Sequence, residues 1–186
     1  MHSLPSWPKR VSGMTGLACL AFGVAVALTV QVAPPAAASE AAASAAPRCR
    51  TAALDIWFEN EIGGGTAGSV YYRFQFTNFS RRACTLEGYP KVLAVNLAGR
   101  RIGSPASHDP SESPRLVRLG PGGSAPALIR IVNADNFPRS ACRPVTAAGF
   151  RVYPPGNTAS RLVPFPFRAC SKVDNGNLSV RVVGSE

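Results

Sequence analysis

Apolar and polar side chains alternate from Leu54 to Glu59, with Leu54, Ile56 and Phe58 on one side and Asp55, Trp57 and Glu59 on the other. This period of two predicts a half-buried strand. Gly63, Gly64, Gly65 and Gly68 then turn the chain into its clearest strand, where Val70, Tyr72, Phe74 and Phe76 face one way and Tyr71, Arg73, Gln75 and Thr77 the other. Two such runs separated by glycines predict a hairpin or a close β connection. Further strand material lies at Cys84 to Leu86 and Val92 to Leu97, divided by Gly88-Tyr89-Pro90, and at Leu116 to Leu119 and Ala125 to Val132, joined through Gly120-Pro121-Gly122-Gly123.

Beyond that turn the pattern weakens. Phe150 to Tyr153 predicts a short strand, and Leu178 to Val183 a last one. Val163-Pro164-Phe165-Pro166-Phe167 lacks two backbone donors, which predicts an edge strand or an extended strap. Ala98 to Pro114, rich in Gly, Ser, Pro and charge, reads as an exposed and mobile loop. About eight short strands with turn signals between them, and no helical period after residue 50, predict an all-β, immunoglobulin-like two-sheet sandwich, with a closed barrel as the alternative. The central Trp of antibody domains is missing, because Trp57 falls on the first strand, so the likeness is one of architecture.

The first fifty residues follow a different pattern. Lys9 and Arg10 precede a run without charge that lasts until Glu40, with an apolar centre from Leu17 to Val32 and small residues at Ala36-Ala37-Ala38. That layout predicts a secretory signal peptide over residues 1–38, cut after Ala38, with an uncleaved membrane anchor as the alternative. Cys19 lies inside the apolar run, and Gly16 stands where a lipidation motif wants an aliphatic residue. Residues 39–47 form an Ala-rich spacer with nothing to build a core. Residues 48–186 then make one domain of ordinary size.

Export changes the reading of the cysteines. Cys49, Cys84, Cys142 and Cys170 remain after cleavage, in a chain headed for an oxidising compartment, and an even number fits two disulfides. Pairing Cys49 with Cys84 and Cys142 with Cys170 joins neighbouring strand ends without crossing. A zinc site is not expected, because no Cys-x-x-Cys pair exists and His108 is the one histidine left.

Removing Lys9 and Arg10 from a chain of net charge +10 leaves +8, nearly all arginine. Such a balance can hold a protein against anionic lipids or envelope polymers. The arginines are spread along the chain, with Arg81-Arg82 and Arg100-Arg101 adjacent and no stacking motif beside them, so they read as a solvated surface and nucleic acid is not an expected partner.

Cys49, the glycines up to Gly68, Thr77-Asn78-Phe79-Ser80, Cys84-Thr85-Leu86, Gly88-Tyr89-Pro90 and Leu119-Gly120-Pro121-Gly122-Gly123-Ser124-Ala125, followed by Cys142 and Cys170, form an ordered set. In these elements the chain resembles the secreted actinobacterial proteins grouped as domain of unknown function 4232. The resemblance implies an exported or envelope-attached β-sandwich, and it brings no catalytic residues with it.

Candidate chemistry is sparse. His108, in Ser107-His108-Asp109-Pro110, has no visible base or nucleophile to work with and reads as a surface histidine. Asp55, Glu59 and Glu61 lack both the facing geometry of a glycosidase pair and the spacing of a calcium loop, so no catalytic, cofactor or metal residues are expected. Asn78-Phe79-Ser80 and Asn177-Leu178-Ser179 match the glycosylation pattern by chance. Trp57, Tyr71, Arg73 and Tyr89 are of the types favoured at binding surfaces, yet both faces of some sandwich strands are covered, and packing is the expected role of Trp57 and Tyr71. The function these features fit is an exported or envelope-associated binding or structural module that holds a protein, a peptide or an anionic envelope polymer, with peripheral envelope contact. A secreted enzyme inhibitor, or a hydrolase acting outside the cell, is the alternative.

Overall fold

A computed structural model describes residues 46–59, 68–172 and 176–185. Residues 1–38, expected to be a signal peptide, most of the expected spacer, Glu61 and the glycines before Gly68 lie outside the described residues. Among the described residues eleven strands run in the order β1 (Leu54–Glu59), β2 (Ser69–Asn78), β3 (Cys84–Leu86), β4 (Lys91–Val95), β5 (Arg101–Ile102), β6 (Ser107–His108), β7 (Val117–Leu119), β8 (Ser124–Val132), β9 (Pro144–Tyr153), β10 (Arg161–Cys170) and β11 (Leu178–Val180). They form a five-stranded sheet in the order β1-β2-β8-β11-β6, a four-stranded sheet in the order β10-β9-β4-β5, and a β3-β7 ribbon. The all-β sandwich is thus as the alternation predicts, with more strands than it marks.

The core forms where the apolar rows of the two sheets meet. Phe74 and Phe76 of β2 and Phe150 of β9 are fully buried. Phe58 of β1 lies 4.2 Å from Phe165 and 5.0 Å from Phe74, and Phe150 stacks on Phe167 at 4.6 Å, measured between ring centres. Offset and edge-on contacts of this kind add to the burial each ring already contributes.

β10 explains its own sequence. It is an edge strand, as its prolines require, and its alternation turns Phe165 and Phe167 towards the core and exposes Pro164 and Pro166. The register slips between Pro164 and Phe167, where a bulge lets three steps of β10 match two of β9. Gly149 sits opposite Pro164, and a Cβ there would overlap the Val163 carbonyl oxygen. β9 is longer than the expected run from Phe150 because Thr146-Ala147-Ala148-Gly149 pairs through its backbone while showing no alternation.

The segment from Ala98 to Pro114 departs from expectation. It carries β5, which joins β4, and β6, which lies parallel to β11, so it reaches both large sheets. Ile102 and Ala106 are buried, and the Ala106 amide donates to the Val92 carbonyl at 2.9 Å. Strands of two residues have no period for a sequence to display.

Disulfides join Cys49 to Cys84 and Cys142 to Cys170, the uncrossed pairing. They close separations of 35 and 28 residues. In the chain-entropy picture each contributes roughly 3 to 4 kcal/mol. The first bridge ties the N-terminal segment to β3, and the second ties a helical turn at Arg139–Cys142 to the end of β10.

Gly149 gives the sharpest test of this packing. Gly149→Ala should destabilise the protein by about 1 to 3 kcal/mol, the usual cost of overfilling a packed site. Chemical denaturation would read it as a lower midpoint, with Gly122→Ala as a control for loss of the positive φ of +74° at an open turn.

Candidate binding face

Register sets which side chains leave the core on the five-stranded sheet. Asp55 pairs with Thr77 and Thr77 with Ser124; Trp57 pairs with Gln75; Glu59 pairs with Arg73; Tyr71 pairs with Arg130, which pairs with Ser179. All of these share the outward side. The expectation of packing is overturned for Trp57, which is 44% exposed, whereas Tyr71 is half-buried beside Arg181. That face is covered only in part, since Leu128 and Ser69 on the same side are buried while Trp57 is not, and alternation alone does not decide between the two.

The face is ordered by its own polar contacts. The Trp57 indole Nε1 donates to Thr77 Oγ1 at 3.3 Å, and Thr77 and Ser124 share a hydrogen bond of 2.8 Å. Glu59 Oε2 accepts from Arg73 Nη1 and from Gln75 Nε2, both at 3.1 Å. The bonds from Gln75 and Arg73 hold the Glu59 carboxyl below the usual carboxylate range. The Trp57 ring and the Arg73 guanidinium are therefore each held by a hydrogen bond to a neighbouring strand.

A second cluster borders it. Arg181 Nε donates to Asp109 Oδ2 at 3.1 Å, its Nη1 lies 3.6 Å from Glu112 Oε1, and its guanidinium carbon sits 5.5 Å from the Tyr71 ring centre. Burial pushes the Asp109 carboxyl up, but hydrogen bonds from Arg181 and from Ser111 outweigh it and leave the group below its ordinary value. Burial alone would lower the Arg181 value, and the bond to Asp109 more than reverses that. This pair fixes the segment after β6 against the chain that follows β11.

His108 lies exposed at the sheet edge with its ring stacked on Tyr89, 4.1 Å between centres and 4° from parallel. The neighbouring Ser107 hydroxyl donates to the Leu178 carbonyl at 3.3 Å. Tyr89 is thus occupied at both ends, since its hydroxyl donates to the Asp109 carbonyl at 3.2 Å. Asp55 is exposed, and Glu59 is engaged by Arg73 and Gln75. No group of three or more metal-binding side chains occurs among the described residues, and no helix among them is long and apolar enough to cross a membrane.

The two asparagines of the glycosylation pattern have a physical role that the pattern hides. Asn78 is fully buried; its Nδ2 donates to the carbonyls of Arg82, Leu119 and Gly120, and its Oδ1 accepts from the Ser80 amide and hydroxyl. Asn177 Oδ1 accepts from the Cys170 amide while its Nδ2 donates to Val132 and Arg168, which links β8 of one sheet to β10 of the other. Both amides are committed to holding strand ends. Burial of the amide and its full set of partners leaves no room for a sugar.

The strand layout and the two bridges define a disulfide-stapled all-β sandwich with an aromatic and arginine-bearing outer sheet face. The chain belongs to the family described as domain of unknown function (DUF4232), whose profile matches residues 49–184. No curated protein matches the sequence.

The Asp109 to Arg181 pair predicts a pH signature. A carboxyl whose folded value is depressed stabilises the fold above its ordinary value of 3.8, and that contribution disappears as pH falls through the lower folded value. Asp109→Asn should therefore lower stability at pH 7 by about 0.5 to 1 kcal/mol, the range for a partly exposed pair. Thermal melts should show the gap between variant and parent closing once the pH drops below 3.8.

Proposed function

We propose that the domain is exported and acts outside the cytoplasm as a binding module, holding a protein or peptide partner on the outer face of its five-stranded sheet. The observation that carries this reading is the half-exposed Trp57, with Tyr71, Arg73 and Arg181 braced on neighbouring strands. Aromatic and arginine side chains held rigid at a surface provide contact area at little cost in conformational freedom. Export is supported by the charge and apolar pattern of residues 1–38 and by two disulfides, which persist in oxidising compartments. An anionic envelope polymer fits this face less well, because Glu59, Asp109 and Glu112 already engage its arginines.

The binding reading is tested by affinity capture from the envelope fraction with the processed protein, in parallel with Trp57→Ala and Tyr71→Ala variants. Expected is a partner retained by the parent and lost by at least about tenfold in affinity with Trp57→Ala, the scale of an aromatic hot spot. N-terminal sequencing of the exported protein should start near Ser39; Met1 on secreted material would contradict cleavage. His108→Ala should leave folding and binding unchanged. A normally folded His108→Ala protein that lost a measured turnover would replace the binding module with a hydrolase.

A further inference from the structure

The four-stranded sheet has an outward face of another character. Register pairs Arg151 with both Leu93 and Leu162, and Val95 with Arg101, so these side chains share the side away from the core, where Leu93 and Val95 are themselves buried. At the end of this face the turn between β4 and β5 lifts Leu97 to 97% exposure, and Leu162 of β10 is 59% exposed. Both leucines border one cleft of about 220 Å³, and Leu97 borders a second of about 560 Å³.

The turn that presents Leu97 is braced. The Gly99 amide donates to the Asn96 carbonyl at 2.8 Å, the Arg100 amide to Asn96 Oδ1 at 2.9 Å, and Arg151 Nη2 to the Gly99 carbonyl at 2.7 Å. Gly99 takes the positive φ of +71° that closes it.

Charge separates this sheet from the other. Strands β4, β5, β9 and β10 and the turns joining β4 to β5 and β9 to β10 hold Lys91, Arg100, Arg101, Arg151, Arg161 and Arg168 and not one Asp or Glu. Single exposed leucines are ordinary on protein surfaces. Two that share a cleft, on a sheet with basic and no acidic side chains, meet the requirements of interfacial binding: apolar groups enter the boundary between headgroups and acyl chains while cations meet anionic headgroups.

We propose that this face docks on an anionic lipid bilayer, with Leu97 and Leu162 entering the interface and Arg100 and Arg101 lying against lipid phosphates. A soluble polyanion would be served by the arginines alone and leaves the bared Leu97 without a role. A second copy docked on the same face would set arginine against arginine, because a two-fold interface is self-complementary. The docking face is separate from the Trp57 face, so loss of the protein partner would leave it untouched.

The test is co-sedimentation of the processed protein, its N-terminus read beforehand, with vesicles of phosphatidylcholine alone or mixed with phosphatidylglycerol. Binding is expected on the mixed vesicles and not on the neutral ones. Replacing Arg100 and Arg101 by Gln should weaken it by about fivefold per charge. Leu97→Ser with Leu162→Ser should weaken it severalfold without altering the melt, since both side chains stand outside the core. As an independent readout, Leu97→Trp in a Trp57→Phe background should shift its fluorescence to the blue when mixed vesicles are added. Failure to bind mixed vesicles would overturn the proposal. So would binding that the leucine replacements leave intact, which is the behaviour of charge alone, or a concentration-dependent dimer abolished by Leu97→Ser.

Discussion

Everything in this fold depends on two sheets giving up one row of side chains each to a shared aromatic core. Phe58, Phe74 and Tyr72 from one sheet meet Phe150, Phe165 and Phe167 from the other, and the ring contacts cross the gap between the layers. Because side chains alternate along a strand, fixing the inner row fixes the outer one. A one-residue slip of β1 would bury Asp55 and Trp57 and expose Ile56 and Phe58. The outward faces are therefore as well defined as the core.

The ends of the layers are held by chemistry of a different kind. Buried amides would be costly if unpaired, but Asn78 and Asn177 meet full sets of backbone partners where strands terminate. Asn177 acts beside the Cys142 to Cys170 bridge, since its Oδ1 accepts from the amide of Cys170 itself. Asn78 acts at the Pro-Gly-Gly turn, where its own backbone bonds Gly122 and Gly123 at 2.7 and 2.9 Å. Asn78 and the Gly122 turn thus meet in space. They serve the closure of one end of the sandwich.

Much of this was legible in the sequence where alternation was strong. β1 and β2 carry clean period-two patterns, the Gly-Pro-Gly-Gly turn marks the start of β8, and the paired prolines of β10 mark an edge. β5 and β6 were hidden because their pairs of residues have no period, and the start of β9 because Ala and Gly there pair by backbone alone. The role of Trp57 was hidden for a different reason: alternation shows that it opposes Ile56 but not whether anything covers that side. Arginines dispersed along the chain looked like an evenly solvated surface. Folding gathers six basic side chains on a sheet without acids, a segregation that only the strand order β10-β9-β4-β5 reveals.

The sandwich thus separates two outer faces, one aromatic and internally ion-paired, the other apolar and basic. The aromatic face rests on the register of β1 against β2, which places Trp57 outward beside Gln75 and Thr77. Trp57 is the one tryptophan after Trp7, so in a chain beginning at Ser39 its fluorescence reports that placement directly. The account predicts native emission close to that of a solvated indole and ready quenching by acrylamide. Blue-shifted emission that resists quenching until the protein unfolds would put Trp57 in the core and contradict the register on which the aromatic face depends.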